Sequence, residues 1–119
     1  MSSLTDIIVF EPDMLFSSKI QNASSKVGAS IKVVADFAEF LHSIEYESSR
    51  IAVLNLDAAG DNVRKLRFVG KVTCTMVGYY SHVNSSLAEE ARDAGVGVVL
   101  PRRSFAERIL KILRGVQDG

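Results

Sequence analysis

The sequence predicts an α/β fold: a doubly wound sandwich, with one parallel five-stranded sheet between two layers of helices. Three observations carry that prediction. Short apolar runs such as Ile7-Ile8-Val9-Phe10 and Ile51 to Leu54 have the length and character of parallel strands buried on both faces. Between the runs, apolar residues recur at steps of three and four, the spacing of one helix face. Helix starts and stops then punctuate the chain at intervals that suit strand–helix–strand units.

The elements follow in order. Ile7 to Phe10 is the first strand, ending in Glu11-Pro12-Asp13, and Asp13 is placed to cap the next helix. Phe16, Ile20, Ala23 and Val27 form the buried stripe of that helix, which Gly28 closes. Ile31 to Ala35 is the second strand. Asp36 with Glu39 opens the second helix, whose stripe is Phe37, Phe40, Leu41 and Ile44. A polar loop, Glu45–Ser49, leads to the third strand, Ile51 to Leu54, which is the central one.

After Gly60, Asp61 can cap a short helix, Asn62–Val69, with Val63, Leu66 and Val69 on its thin apolar side and Gly70 at its end. Val72 to Val77 reads as the fourth strand, stopping at Gly78, and the loop Tyr79–Ser85 follows. Ser86 and Glu89 make a capping box for a helix with Leu87, Ala91 and Ala94 inward and Gly95 at its end. Val96 to Leu100 is the fifth strand. Ser104 and Glu107 open the last helix, with Phe105, Ile109, Ile112 and Val116 on one face.

Five strands thus alternate with five helices. Crossovers of this length make the strands parallel and the connections right-handed. The flavodoxin-like order 2-1-3-4-5 is the natural arrangement for a five-unit chain of this size. A six-stranded Rossmann sheet needs more chain, and no Gly-x-Gly-x-x-Gly follows the first strand. Residues 1–119 are expected to form a single domain, long enough for a core without metal or disulfide staples.

Composition excludes several classes. With 14 basic and 14 acidic residues the formal net charge is zero, so bulk electrostatics argue against nucleic acid or an anionic membrane as partner. No apolar run approaches the roughly 18 residues of a membrane span. No secretory signal pattern opens the chain, and a cytoplasmic location is the expectation. The single cysteine, Cys74, sits in an apolar stretch and reads as a buried thiol.

In open α/β sheets, chemistry sits beyond the carboxyl ends of the strands. The central strand turns polar there, at Asn55 and Asp57. Together with the acidic end of the first strand and Val-Val-Leu-Pro-Arg-Arg-Ser-Phe at the end of the fifth, this arrangement resembles the receiver domain of two-component response regulators. The resemblance covers nearly the whole chain. It implies a phosphoacceptor Asp ending strand three, magnesium held by that Asp and an acidic pair after strand one, a Thr or Ser after strand four, and a Lys before the last helix.

Transferred residue by residue, the resemblance implies a degenerate site. Asn55 falls at the phosphoacceptor position, and an amide cannot form an acyl phosphate. The acidic pair becomes Glu11-Pro12, which removes one metal ligand. The hydroxyl position falls at Gly78. The Lys position falls at Leu100 or at Arg102, depending on how Pro101 is aligned, and the aromatic switch position at Val98 or Val99. The chain so read is a pseudo-receiver, with the fold kept and the phosphorylation chemistry lost.

Other residues invite chemistry less strongly. Asp57 reads as a loop carboxylate, although a shifted register would make it an acceptor. Asp13 reads as a helix cap and not as a displaced metal ligand. Ser81 and His82 are neighbours in sequence, which is not triad geometry, and no Gly-x-Ser-x-Gly elbow is present. Arg64, Lys65, Arg67 and Lys71 read as a solvated face. Arg102 and Arg103 leave strand five toward the crevice, where guanidinium groups can bind a phosphate or carboxylate, or else pair structurally with Glu11, Asp13 or Asp57, which is the favoured reading.

The expectation is a non-enzymatic signalling module without a cofactor or metal, acting through a protein partner, with a homodimer as one arrangement. The binding surface would be the fourth or fifth helix. The rival expectation is a sensor of a small anion or nucleotide, held by Arg102 or Arg103.

Overall fold

The computed structural model describes residues 5–70, 72–81 and 85–115. Its strands are β1 (Ile7–Phe10), β2 (Ile31–Val34), β3 (Ile51–Asn55), β4 (Thr75–Tyr80) and β5 (Val98–Pro101). The α-helices are α1 (Met14–Lys26), α2 (Phe37–Tyr46), α3 (Leu56–Ala59), α4 (Ser85–Asp93), α5 (Arg102–Glu107) and α6 (Ile109–Leu113), and a 3-10 helix spans Gly60–Phe68. All strand pairs are parallel, in the order β2-β1-β3-β4-β5. The expected fold class and strand order are those observed.

Alternation along the strands builds two cores. Ile8, Phe10, Ala52, Leu54 and Met76 point to one face, covered by Phe37, Phe40 and Ile44 of α2, Val63 and Leu66 of the 3-10 helix, and Leu87, Ala91 and Ala94 of α4. Ile7, Val9, Ile51, Val53 and Val77 point to the other, under Phe16, Ile20 and Ala23 of α1, Phe105 of α5, and Ile109 and Leu113 of α6. Asp13 caps α1 through Leu15 N–H at 2.9 Å, and Asp36 caps α2 through Ala38 N–H at 3.1 Å. Gly28 follows α1 with φ of 71°, a conformation that glycine adopts without strain.

Several boundaries depart from expectation. β4 does not run from Val72 to Val77: it starts at Thr75, where its partner β3 starts at Ile51, and it continues through Gly78 to Tyr80. Gly78 is not a stop. A Cβ there would come within 3.0 Å of the Leu56 side chain, so glycine is needed mid-strand for close packing. The helix expected at Asn62–Val69 under an Asp61 cap is a 3-10 helix from Gly60, preceded by the turn of α3. Gly60, Asp61 and Asn62 are poor α-formers, and Val63 and Leu66 bury one side of three residues per turn.

The last helix begins at Arg102 directly after Pro101, so Ser104 lies inside α5 and caps nothing. It breaks at Arg108, where φ is −107° and ψ 14°, and α6 resumes at Ile109. β5 starts at Val98, two residues later than expected, although Val96 is buried. Ser86 likewise falls inside α4, which opens at Ser85. Val116, expected on the last helix face, lies outside the described residues. Among the described residues no helix is long and apolar enough to cross a membrane.

Candidate functional site

The alternation that builds the second core also builds the site. Val9, Val53 and Val77 are aligned across β1, β3 and β4. Two residues further along each strand direction, on the same face, come Glu11, Asn55 and Tyr79. Asn55 and Tyr79 are direct partners in the β3–β4 register. Three polar side chains therefore meet at the carboxyl ends of the central strands, above an apolar core.

Glu11 is 2% exposed and Asn55 9% exposed, while Tyr79 is fully buried. The Asn55 Nδ2 donates to both carboxylate oxygens of Glu11, at 3.0 and 3.1 Å. The Tyr79 hydroxyl donates to Glu11 Oε1, and the Asp13 backbone N–H donates to Oε2 at 2.9 Å. Asn55 Oδ1 meanwhile accepts from Ala58 N–H at 3.0 Å, which caps α3. This fixes the amide orientation, because the carboxylate needs donors and the helix end needs an acceptor. It also starts α3 straight from the strand, with no loop between Asn55 and the helix. Tyr79 is held in place by Phe16, at 5.1 Å between ring centroids, and by Phe105, stacked at 4.7 Å.

Burial and the neighbouring Glu11 carboxylate push the Tyr79 phenol far above its ordinary value, so it stays protonated as a donor. The unfolded phenol ionises near pH 10. The protonated phenol's contribution to stability is therefore complete below that pH and lost as the pH rises above it. Tyr79→Phe should cost about 1–3 kcal/mol at pH 7, since it leaves a buried carboxylate one donor short. It should also flatten the loss of stability above pH 10, as read by thermal melts from pH 7 to 11.

Around the network lies a second ring of contacts. Asp13 Oδ2 sits 3.6 Å from Arg102 Nη2, and the Arg102 guanidinium lies over the Phe16 ring at 3.9 Å. Arg102 Nη1 also reaches Ser81 Oγ at 3.5 Å. Asp57, in the first turn of α3, accepts from Ser81 N–H, which ties the end of β4 to α3. Arg103, by contrast, turns outward with its side chain 91% exposed and sits 3.7 Å from Glu107.

The structure thus brings Glu11 and Asn55 together and places Arg102 at the rim, while Arg103 stays apart. Pro12 is exposed beside them. Gly78 is a correction. It pairs with Leu54 on the opposite face of the sheet and packs against Leu56, so it is not the β4 residue at the site. That residue is Tyr79, whose hydroxyl is present where the sequence reading found none. Its two-residue step from Val77, with a strand-favouring aromatic side chain, is the signal that marks it.

Cys74 is half-buried, and burial pushes its thiol up. Arg64 pairs with Glu90 at 2.7 Å, and Lys65 and Arg67 are exposed. Lys71 and His82 lie outside the described residues.

These side chains do not fit a magnesium ion. Hard cations take oxygen ligands, whereas Asn55 turns its N–H donors toward the Glu11 carboxylate. Pro12 has no side-chain oxygen, and Asp13 is engaged with Leu15 N–H and Arg102. Among the described residues no three His, Cys, Asp or Glu side chains form a group that could hold a metal.

No protein-family model matches the sequence, and no curated protein matches it. Solved structures do. A response regulator from Hahella chejuensis is 17% identical, with a TM-score of 0.77 over 92% of each chain. A receiver domain protein from Methanospirillum hungatei JF-1 is 17% identical, with a TM-score of 0.75 over 98% of this chain and 100% of that one. The receiver domain of a sensor histidine kinase from Pseudomonas aeruginosa PAO1, which holds magnesium in its active-site cleft, is 17% identical. Its TM-score is 0.67, over 95% of this chain and 99% of that one. In strand order, helix placement and superposition, this chain has the fold of the response-regulator receiver domains.

Proposed function

We propose that this chain is a receiver-like signalling module that works by binding a protein partner and does not accept a phosphoryl group on β3. The observation that carries this reading is the saturation of Glu11 by Asn55, Tyr79 and the Asp13 N–H. Phosphoryl transfer depends on positioning and on cations that neutralise developing charge. Here the carboxylate that the receiver resemblance assigns to a metal is occupied by hydrogen bonds from an amide, a phenol and a backbone N–H. The nucleophile position holds an amide. The module is read as non-enzymatic, with its output through α4 or the last helix, α5 with α6, to a protein partner or a second copy.

The small-anion reading has less in its favour. Arg102 lies between Asp13, Ser81 and Phe16, and Arg103 stands in solvent beside Glu107.

Incubation with magnesium and acetyl phosphate, followed by intact-mass measurement, tests the proposal. The expected result is an unchanged mass, together with no melting shift from magnesium plus beryllofluoride. A phosphoryl adduct that disappears in Asp57→Ala would mean that Asp57 is the acceptor and the site is active.

A further inference from the structure

At the other end of the sheet, where β3, β4 and β5 begin, the second core is left open. A cleft of about 980 Å³ lies there between the strands and the last helix. Its floor is apolar, formed by Ile51, Val77, Val98 and Leu100, with Ile112 as one wall. α6 packs on α1 and buries Ile109 and Leu113, while Ile112 stays half-buried and Val98 is 42% exposed.

The rim is cationic. Arg50, Arg108 and Lys111 line the cleft, and among the described residues no acidic side chain does. Arg50 is held by Leu113 O, at 3.3 Å, and has Asp6 at 3.9 Å. Arg108 and Lys111 are exposed, lie three residues apart, and make no ion pair among the described residues. In a chain of zero net charge this is a local positive excess beside bare apolar surface.

We propose that this cleft binds a small amphipathic anion, with its apolar body on the β3–β5 floor and its carboxylate or phosphate head at Arg108 and Lys111. The space is of the size that encloses a single small ligand, up to about 1,000 Å³. Its concavity favours such a ligand over the flatter contact of a protein partner. Charge complementarity selects the head, and exposed Val98 with half-buried Ile112 selects the body. The inference is independent of the crevice at Glu11 and Asn55, and either can fail without the other.

Calorimetric titration of the full chain with decanoate below its micelle concentration tests it, with decanol and acetate as the two half-ligands. Saturable one-to-one binding of decanoate is expected, with decanol and acetate at least about tenfold weaker. The Arg108→Ala/Lys111→Ala variant should bind decanoate about tenfold more weakly and leave decanol unchanged. Val98→Asn, at a position 42% exposed in the edge strand β5, should weaken both decanoate and decanol. Parallel runs with decyl phosphate show which head is preferred and leave the class intact. No saturable decanoate binding, full retention by the double variant, or equal binding of decanol would overturn the proposal. So would a dimer in sedimentation that Arg108→Glu dissociates, because the occupant would then be a second copy.

Discussion

Val53→Asp leaves no cooperatively folded protein. Val53 is fully buried in the central strand and is aligned with Val9 on one side and Val77 on the other. It faces the core under α1, α5 and α6, where nearest neighbours are aliphatic and aromatic. A carboxylate placed there has no donor and no water. It must either stay charged at a cost of several kcal/mol or take up a proton and still lack a hydrogen-bond partner. Loss of valine packing adds to this, and a total above about 5 kcal/mol is comparable to the whole stability of a small domain. The expected observation is aggregation on expression, or a circular-dichroism melt without a sigmoidal transition. A soluble variant that melts cooperatively would remove β3 from the centre of the sheet.

Asn55→Asp, the substitution that restores the chemical group of an acceptor, should destabilise the domain instead of activating it. It replaces two donated hydrogen bonds to Glu11 with a second carboxylate about 3 Å away, in a site almost closed to water. Taking two donors from a buried carboxylate and setting a like charge beside it costs about 3 kcal/mol or more. For a domain of this size that lowers the melting temperature by on the order of 15 °C. Two carboxylates in one site cannot both remain ionised without penalty. The folded pair therefore takes up a proton more readily than the unfolded chain, so the deficit against the parent should be largest at neutral pH, shrink as the pH falls toward about 4, and be smallest below it.

Magnesium at millimolar concentration should recover part of the deficit in the variant and leave the parent unmoved, since only the variant offers paired carboxylate oxygens. The α3 cap would persist, because an Asp side chain accepts from Ala58 N–H as well as Asn does. A variant as stable as its parent at neutral pH would show that the Asn55–Glu11 contact does not hold the site together.

The sequence by itself determined the fold class, the strand order and both helix layers. It also determined two of the helix caps, Asp13 and Asp36. These features are legible because their causes are local: a strand buried on both faces must be apolar throughout, a helix must repeat its apolar residues every three to four positions, and a cap must present an oxygen to free N–H groups. Glu11 and Asn55 were legible as site positions for the same reason, as polar residues at the ends of apolar runs.

Tertiary structure alone decided what those two residues do. The extent of β4 is set by pairing with β3, a contact between residues 24 apart in the chain. That pairing carried the strand past Gly78 and brought Tyr79 to Glu11. No window of sequence around Gly78 contains Leu56, whose packing makes glycine necessary mid-strand. The break at Arg108 is equally unmarked by any Pro or Gly nearby, and Arg108 lines the cleft with Val98. A hydrogen-bonded carboxylate and an uncovered valine both depend on which distant surface arrives beside them, and only the folded chain sets that.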